Sequence, residues 1–187
     1  MQDTLRQLLE GRSLSEREAE HVFTQVLTGQ ANEAQVGALL ALIAVRGVNL
    51  DELVGAARVM RAYVTPVPVQ DADTVIDTCG TGGAPKTFNI STAVALVAAA
   101  CERDGRRVRV AKHGGRSRTG RGSAEVLARL GVNIDAPPAA QGRCLDQVGV
   151  CFSFAIHHHP AMRFAAGPRK SLGFPTVFNL LGPLTNP

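Results

Sequence analysis

The stretch Thr74-Val-Ile-Asp-Thr-Cys-Gly-Thr-Gly-Gly-Ala-Pro-Lys-Thr-Phe-Asn-Ile-Ser-Thr92 decides the fold. A short β-rich run breaks at Gly80, Gly82 and Gly83 and gives way to Asn89-Ile-Ser-Thr92 at the head of an apolar run. Strand, glycine turn and helix in that order are the opening of a strand–helix–strand unit, and such units build parallel sheets. The alternation continues downstream. It predicts strands over 74–78, 108–111 and 150–156, and helices over 91–102, 123–130 and 139–148. The expected class is therefore α/β. The last run, Gly173-Phe-Pro-Thr-Val-Phe-Asn-Leu-Leu-Gly-Pro-Leu-Thr-Asn-Pro187, adds no strand, and three parallel strands leave an edge uncovered. The parallel sheet is expected to be incomplete within these residues.

Upstream, three amphipathic helices are predicted. Ser13-x-x-Glu16 has the spacing of a capping box, and Ala19, Val22, Phe23, Val26 and Leu27 follow on one face until Gly29. Asn32-x-x-Gln35 opens a second helix whose run Leu39-Leu-Ala-Leu-Ile-Ala-Val45 is apolar nearly all round, predicting burial. Asn49-x-x-Glu52 opens a third with Leu50, Leu53, Val54, Ala57 and Val64 inward, and Pro66 and Pro68 stop it. The expected boundary between a small helical domain, residues 1–66, and the α/β domain, residues 71–187, falls at 65–71.

A hydrophobic content of 45% suits a packed core rather than disorder. No apolar stretch approaches the roughly 20 residues of a membrane helix, and the N-terminus lacks the basic-then-apolar order of a secretory signal. A soluble cytoplasmic protein is expected. Cys79, Cys101, Cys144 and Cys151 form no C-x-x-C pair and read as buried, reduced thiols. The net charge is +4, and much of the excess lies in 103–121 and 163–170, which suits an anionic small molecule and would also fit nucleic acid.

Glycines between a strand and a helix let backbone N–H groups approach phosphate oxygens closely, and Asn89, Ser91 and Thr92 stand where a hydroxyl caps the helix, touches phosphate or ligates Mg²⁺. Alone, this is neither of the common nucleotide-binding glycine fingerprints, and an ordinary turn reads as well. Lys112-His-Gly-Gly-Arg-Ser-Arg-Thr-Gly-Arg-Gly-Ser123 repeats the strand–loop–helix geometry with charge added. Loops at the carboxyl ends of neighbouring parallel strands converge on one crevice, which favours a shared phosphate ligand. His113 lies beside Lys112 and reads as a ligand contact. His157, His158 and His159, placed on a strand end, alternate faces and lack zinc-ligand spacing, so they read as structural or aromatic-contacting.

Together, Asp77-Thr-Cys-Gly-Thr-Gly-Gly, Thr87-Phe-Asn-Ile-Ser-Thr, Lys112-His-Gly, Arg116-Ser, Gly122-Ser-Ala-Glu-Val-Leu, His159-Pro-Ala-Met-Arg and Phe178-Asn-Leu-Leu-Gly-Pro-Leu-Thr-Asn-Pro resemble the anthranilate phosphoribosyltransferase family over essentially the whole chain. The resemblance implies a helical domain, to which 160–187 partly returns, joined to a phosphoribosyl-binding α/β domain. It implies transfer of the phosphoribosyl group from phosphoribosyl pyrophosphate to anthranilate, with release of pyrophosphate, in tryptophan biosynthesis. Mg²⁺ is the implied cofactor, a homodimer the implied assembly, and neither membrane nor nucleic acid an implied partner.

Carried over, the phosphoribosyl pyrophosphate site comprises Gly80, Gly83, Ala84, Thr87, Asn89, Ile90, Ser91 and Thr92, with Lys112, His113, Gly114, Gly115, Arg116, Ser117, Arg118, Thr119, Gly120 and Ser123. Ser91 is the implied Mg²⁺ ligand; Gly80, Gly115 and Arg169 are the implied anthranilate contacts. Three departures stand out. Ala84 replaces a common aspartate in a loop one residue shorter, Gly115 replaces a common asparagine, and the acidic pair that holds Mg²⁺ in the family is expected beyond residue 187. Two other readings share the fold: a non-catalytic binder of nucleic acid or another polyanion, and a pyrimidine nucleoside phosphorylase, which Asn89-Ile-Ser-Thr and Gly182-Pro-Leu-Thr-Asn-Pro disfavour.

Overall fold

The computed structural model describes residues 1–81, 88–103, 105–117 and 120–187. Contacts divide the chain into two compact units, one of residues 1–64 and 160–185, the other of 65–159 and 186–187. The first is helical and begins with α1 (Gln2–Leu9), α2 (Glu16–Leu27), α3 (Glu33–Arg46) and α4 (Leu50–Ala62). The stripe of α2 is buried as its periodicity predicts: Ala19, Val22, Phe23, Val26 and Leu27 are 3% exposed or less. Each large member contributes about 1.5–3 kcal/mol by leaving water. α1, with Leu8 buried, was not among the predicted helices.

The boxes expected at Asn32 and Asn49 are present, but α2 is capped by Ser15 with Glu18, two residues later than predicted. Both pairs have box spacing, and the tertiary fold chooses between them. Leu14 is buried at 1%, its N–H donates to Glu52 Oε1 at 2.9 Å, and Ser13 Oγ accepts from Arg46 Nη1 at 2.7 Å. Glu52, fully buried, also pairs with Arg46 and accepts from the N–H of Asn49 at 3.1 Å. Because this carboxylate fills the inner face of the first turn of α4, Leu50 points outward, 73% exposed, against expectation. In α3, Val36, Leu39, Leu40 and Ile43 are buried, whereas Val45, expected inward, is 90% exposed.

The second unit carries a three-stranded parallel sheet in the order β1-β4-β5: β1 (Val75–Ile76), β4 (Arg109–Gly114) and β5 (Val150–Phe154), with α5 (Ile90–Ala99), α6 (Ser123–Arg129) and α7 (Pro138–Val148) between strands. The middle strand is the most enclosed, with Val110 through His113 buried. α5 ends three residues earlier than predicted. A small antiparallel hairpin of β2 (Glu102–Arg103) and β3 (Arg106–Arg107) follows, turning through Gly105 at φ +73°. Gly142 of α7 lies so close to the Pro68 carbonyl that a Cβ there has no space. β5 stops at Phe154, and 155–156, predicted as its last residues, begin a helical turn instead, α8 (Ala155–His158).

The chain then returns to the helical unit as α9 (Arg163–Leu172) and α10 (Val177–Leu181). Ala165, Val177, Phe178 and Leu181 join the core, and the Phe178 ring meets Phe23 edge-on, centroids 5.8 Å apart. Gly29 ends α2 in a left-handed conformation, φ +74°, where a Cβ would lie 2.5 Å from the Phe164 ring. Among the described residues, no helix is long and apolar enough to cross a membrane.

Candidate functional site

The carboxyl ends of β1 and β4 meet through one side chain. Asp77 follows β1, and its Oδ1 accepts from the N–H groups of Thr78 at 2.7 Å, Cys79 at 3.0 Å and His113 at 2.9 Å. One oxygen thus folds the start of the glycine loop and ties it to the next strand. Thr78 Oγ1 donates to the Ser91 carbonyl at 2.7 Å, fixing the same loop to α5. Thr92 Oγ1, buried in the first turn of α5, donates to Ser123 Oγ at 3.1 Å in the first turn of α6. Both predicted phosphate loops therefore share one hydrogen-bonded frame, the convergence that parallel neighbours dictate.

Among the described residues, α5 begins without a side-chain cap on its first N–H groups, and Gly80 has open space over its Cα. Uncapped N–H groups at a helix start carry partial positive charge and attract anions. The Ser91 hydroxyl lies in the same turn with no partner among the described residues. Lys112 is buried at 3% and donates through Nζ to the His113 carbonyl at 2.8 Å. Arg116 is exposed, its guanidinium 5.7 Å from the centroid of the Phe154 ring. Gly114 is packed against the Phe152 ring and Ser123, whereas a side chain at Gly115 would meet only Ala155 Cβ, at 4.0 Å.

The histidines divide by environment. His113 and His159, both buried, stack obliquely with centroids 5.1 Å apart. Burial, then the charges of His113 and His158, push His159 down to about 4, so it is neutral at physiological pH. His158 is lowered too, first by burial, and its ring nitrogens face the Thr65 carbonyl and Gln141 Oε1 at 2.7 and 2.9 Å. His157 contacts the Phe154 ring edge-on and Asp135 at 2.9 Å. Donor atoms of Asp77, Cys79 and His113 lie within 4.8 Å of one another. Metal binding there is opposed by chemistry, because Asp77 Oδ1 already holds three N–H groups, and burial, then Asp77, push the Cys79 thiol up to about 12. The expectation of buried thiols fails for Cys101 and Cys144, which are exposed, although all four cysteines are free.

Of the residues expected in the site, Gly80, Asn89, Ile90, Ser91, Thr92, Lys112, His113, Gly114, Gly115, Arg116, Ser117, Gly120 and Ser123 belong to the two loops and the helix starts they feed. Gly83, Ala84, Thr87, Arg118 and Thr119 lie outside the described residues. Ile90 is 66% exposed. Arg169 belongs to α9 in the helical unit, with its guanidinium 5.3 Å from the Phe178 ring centroid. Burial lowers its pKa, and it has no carboxylate partner among the described residues. The organising role of Asp77 escaped the sequence reading, although a carboxylate directly before a glycine turn, with its habit of accepting nearby N–H groups, was the available signal.

Comparison with known proteins agrees with this geometry. The profile described as "Glycosyl transferase family, a/b domain" matches residues 72–187, and "Glycosyl transferase family, helical bundle domain" matches 2–64. The chain is 50% identical over 189 aligned residues to a Desulforudis audaxviator protein named anthranilate phosphoribosyltransferase, covering 100% of this chain and 53% of that one. Against Streptomyces coelicolor anthranilate phosphoribosyltransferase 2 the identity is 51%, over 94% of this chain and 51% of that protein. The crystal structure of anthranilate phosphoribosyltransferase from Thermus thermophilus superimposes with a TM-score of 0.88 at 41% identity, covering 99% of this chain and 55% of that chain. The Saccharomyces cerevisiae enzyme in complex with PRPP and Mg gives 0.82 at 26% identity, over 97% and 53%. The chain spans about half the length of the relatives it matches. Helical bundle and α/β domain, both matched in order, show that this chain belongs to the glycosyl transferase family.

Proposed function

We propose that this chain supplies the phosphoribosyl pyrophosphate site and the acceptor-orienting arginine of an anthranilate phosphoribosyltransferase. The observation that carries the reading is the frame of Asp77, Thr92 and Ser123, which joins an uncapped helix start to a basic loop. The relatives' names and the yeast complex with PRPP and Mg supply the ligand identities. Backbone N–H groups of α5 and the cations of 112–121 receive the diphosphate. The leaving pyrophosphate gains negative charge as the anomeric C–O bond breaks, so fixed donors there stabilise the transition state more than the ground state. Arg169, desolvated and without an acidic partner among the described residues, is suited to a bidentate contact with the anthranilate carboxylate.

The Ser91 hydroxyl fits a Mg²⁺ role, being a hard oxygen without a partner among the described residues in the first turn of α5, and Mg²⁺ takes few protein oxygens and several waters. When bound, the metal supplies charge neutralisation to the diphosphate. Tryptophan biosynthesis belongs to this reading, supported by the relatives' names, and a cytoplasmic homodimer belongs to it as what the family resemblance implies. The polyanion-binder alternative gains no support from the comparisons. The test is consumption of anthranilate, followed by its fluorescence, in the chain extended by the remaining length its relatives carry. Loss of signal that requires phosphoribosyl pyrophosphate and Mg²⁺ is expected, with Arg169→Ala raising KM for anthranilate at least about tenfold. An extended protein that folds and consumes no anthranilate sinks the proposal.

A further inference from the structure

The basic loop between β4 and α6 is built around a carboxylate. Glu125 sits in the first turn of α6, and its Oε1 accepts from the Ser117 N–H at 3.2 Å. Its Oε2 is buried and finds no partner among the described residues. Gly122 is clamped beneath the same turn, where a Cβ would lie 2.6 Å from Glu125 Oε2, 2.8 Å from the Gly115 carbonyl oxygen and 2.8 Å from Ser117 N. Ser117 closes the turn from within: its Oγ accepts from the Arg121 N–H at 2.9 Å and its carbonyl from the Gly120 N–H at 3.2 Å.

A negative charge directly under an anion-binding loop opposes the ligand electrostatically; its place in the first turn of α6 suits the helix dipole, but it makes no capping hydrogen bond to Gly122, the N-cap, among the described residues. Its position is explained by what it holds. We propose that Glu125 is a positioning residue: through the Ser117 N–H it holds Gly115–Ser117 against Arg121 and Gly122, and so sets where Arg116 and Arg121 meet a diphosphate. This rests on the phosphoribosyl pyrophosphate reading for the ligand, whereas the loop-holding role stands independently of it.

Two measurements on the 187-residue chain separate the claims: trypsin cleavage after Arg116 and Arg121, quantified against cleavage in the helical unit, and calorimetric titration with phosphoribosyl pyrophosphate and Mg²⁺. Losing an acceptor to a carboxylate-bound N–H changes an equilibrium by about tenfold. Glu125→Ala is expected to speed loop cleavage and weaken binding by about that factor, and Glu125→Asp, too short to reach Ser117, to match it. Glu125→Gln, which keeps the acceptor, is expected within about threefold of wild type. If Glu125→Ala unfolds the unit, the contrast of Gln with Asp decides. Wild-type cleavage and affinity in Asp, or Gln as deficient as Asp, overturns the proposal. A wild-type chain that takes up no phosphoribosyl pyrophosphate refutes the ligand reading, and the cleavage ratios still decide the role of Glu125.

Discussion

Replacing Asp77 tests the frame of the site at its narrowest point. Three N–H groups, of Thr78, Cys79 and His113, converge on one carboxylate oxygen at 2.7–3.0 Å. Hydrogen bonds to a charged acceptor are worth about 1.5–3 kcal/mol each, and sharing one half-buried oxygen puts these three at or below the low end. Asp77→Ala is therefore expected to cost about 3 kcal/mol in the α/β unit, and Asp77→Asn, which keeps a neutral acceptor, about 1 kcal/mol. Because the chain has two units, a single melting temperature mixes their responses, so amide hydrogen exchange is the better assay. In Asp77→Ala the His113 amide is expected to exchange about a hundredfold faster, with Thr78 and Cys79 following and amides of the helical unit unchanged. Cys79 gives a second reading. Its thiol, raised to about 12 by burial and then by Asp77, should titrate lower in Asp77→Asn but above an ordinary thiol, since burial remains. A His113 amide that exchanges at the wild-type rate in Asp77→Ala would refute the reasoning.

Phe23→Ala removes a fully buried ring and its edge-on contact with Phe178, and urea denaturation of the helical unit should show a loss of about 3–5 kcal/mol. His159 links stability to pH. Its folded pKa of about 4 lies below the ordinary 6.5, so the unfolded chain binds the proton first. Its contribution is complete above pH 6.5, declines as pH falls toward 4 by roughly 3 kcal/mol, and levels off below. Urea midpoints of wild type and His159→Gln, read by an α/β probe, should converge across that window. Gly115→Asn, with open space at the position, should fold normally and tighten phosphoribosyl pyrophosphate binding in a calorimetric titration, because an amide is added at the loop. Alkylation followed by mass spectrometry should label exposed Cys101 and Cys144 well before Cys79 or Cys151, whose pKa burial raises to about 12 and about 11.

Periodicity carried the helical unit because its core stripes repeat on one side of each helix, as the buried residues of α2 show. It misplaced the cap of α2 and the direction of Leu50 for one reason, the buried Glu52, whose partners Leu14 and Arg46 come from elsewhere in the chain. No local pattern contains such a contact. The parallel strands and the loops that follow β1 and β4 were legible from strand–glycine–helix order, whereas β2 and β3 were hidden inside an arginine-rich run that lacks alternation. Within the site, residue types named the chemistry, but Thr92 with Ser123 and Asp77 with His113 are long-range pairs that only the fold reveals. His157 was expected on a strand end but lies in α8, which begins directly after Phe154, while the aromatic contact expected of it is made with the Phe154 ring.

The most direct test of the phosphoribosyl pyrophosphate site is a calorimetric titration of the folded 187-residue chain with that ligand and Mg²⁺, repeated in Arg116→Ala and in the presence of duplex DNA. Saturable one-to-one binding, weakened about tenfold or more by Arg116→Ala and unaffected by DNA, is the expected result. Absence of binding by a folded chain, or binding abolished by DNA with a steep dependence on salt, would contradict it.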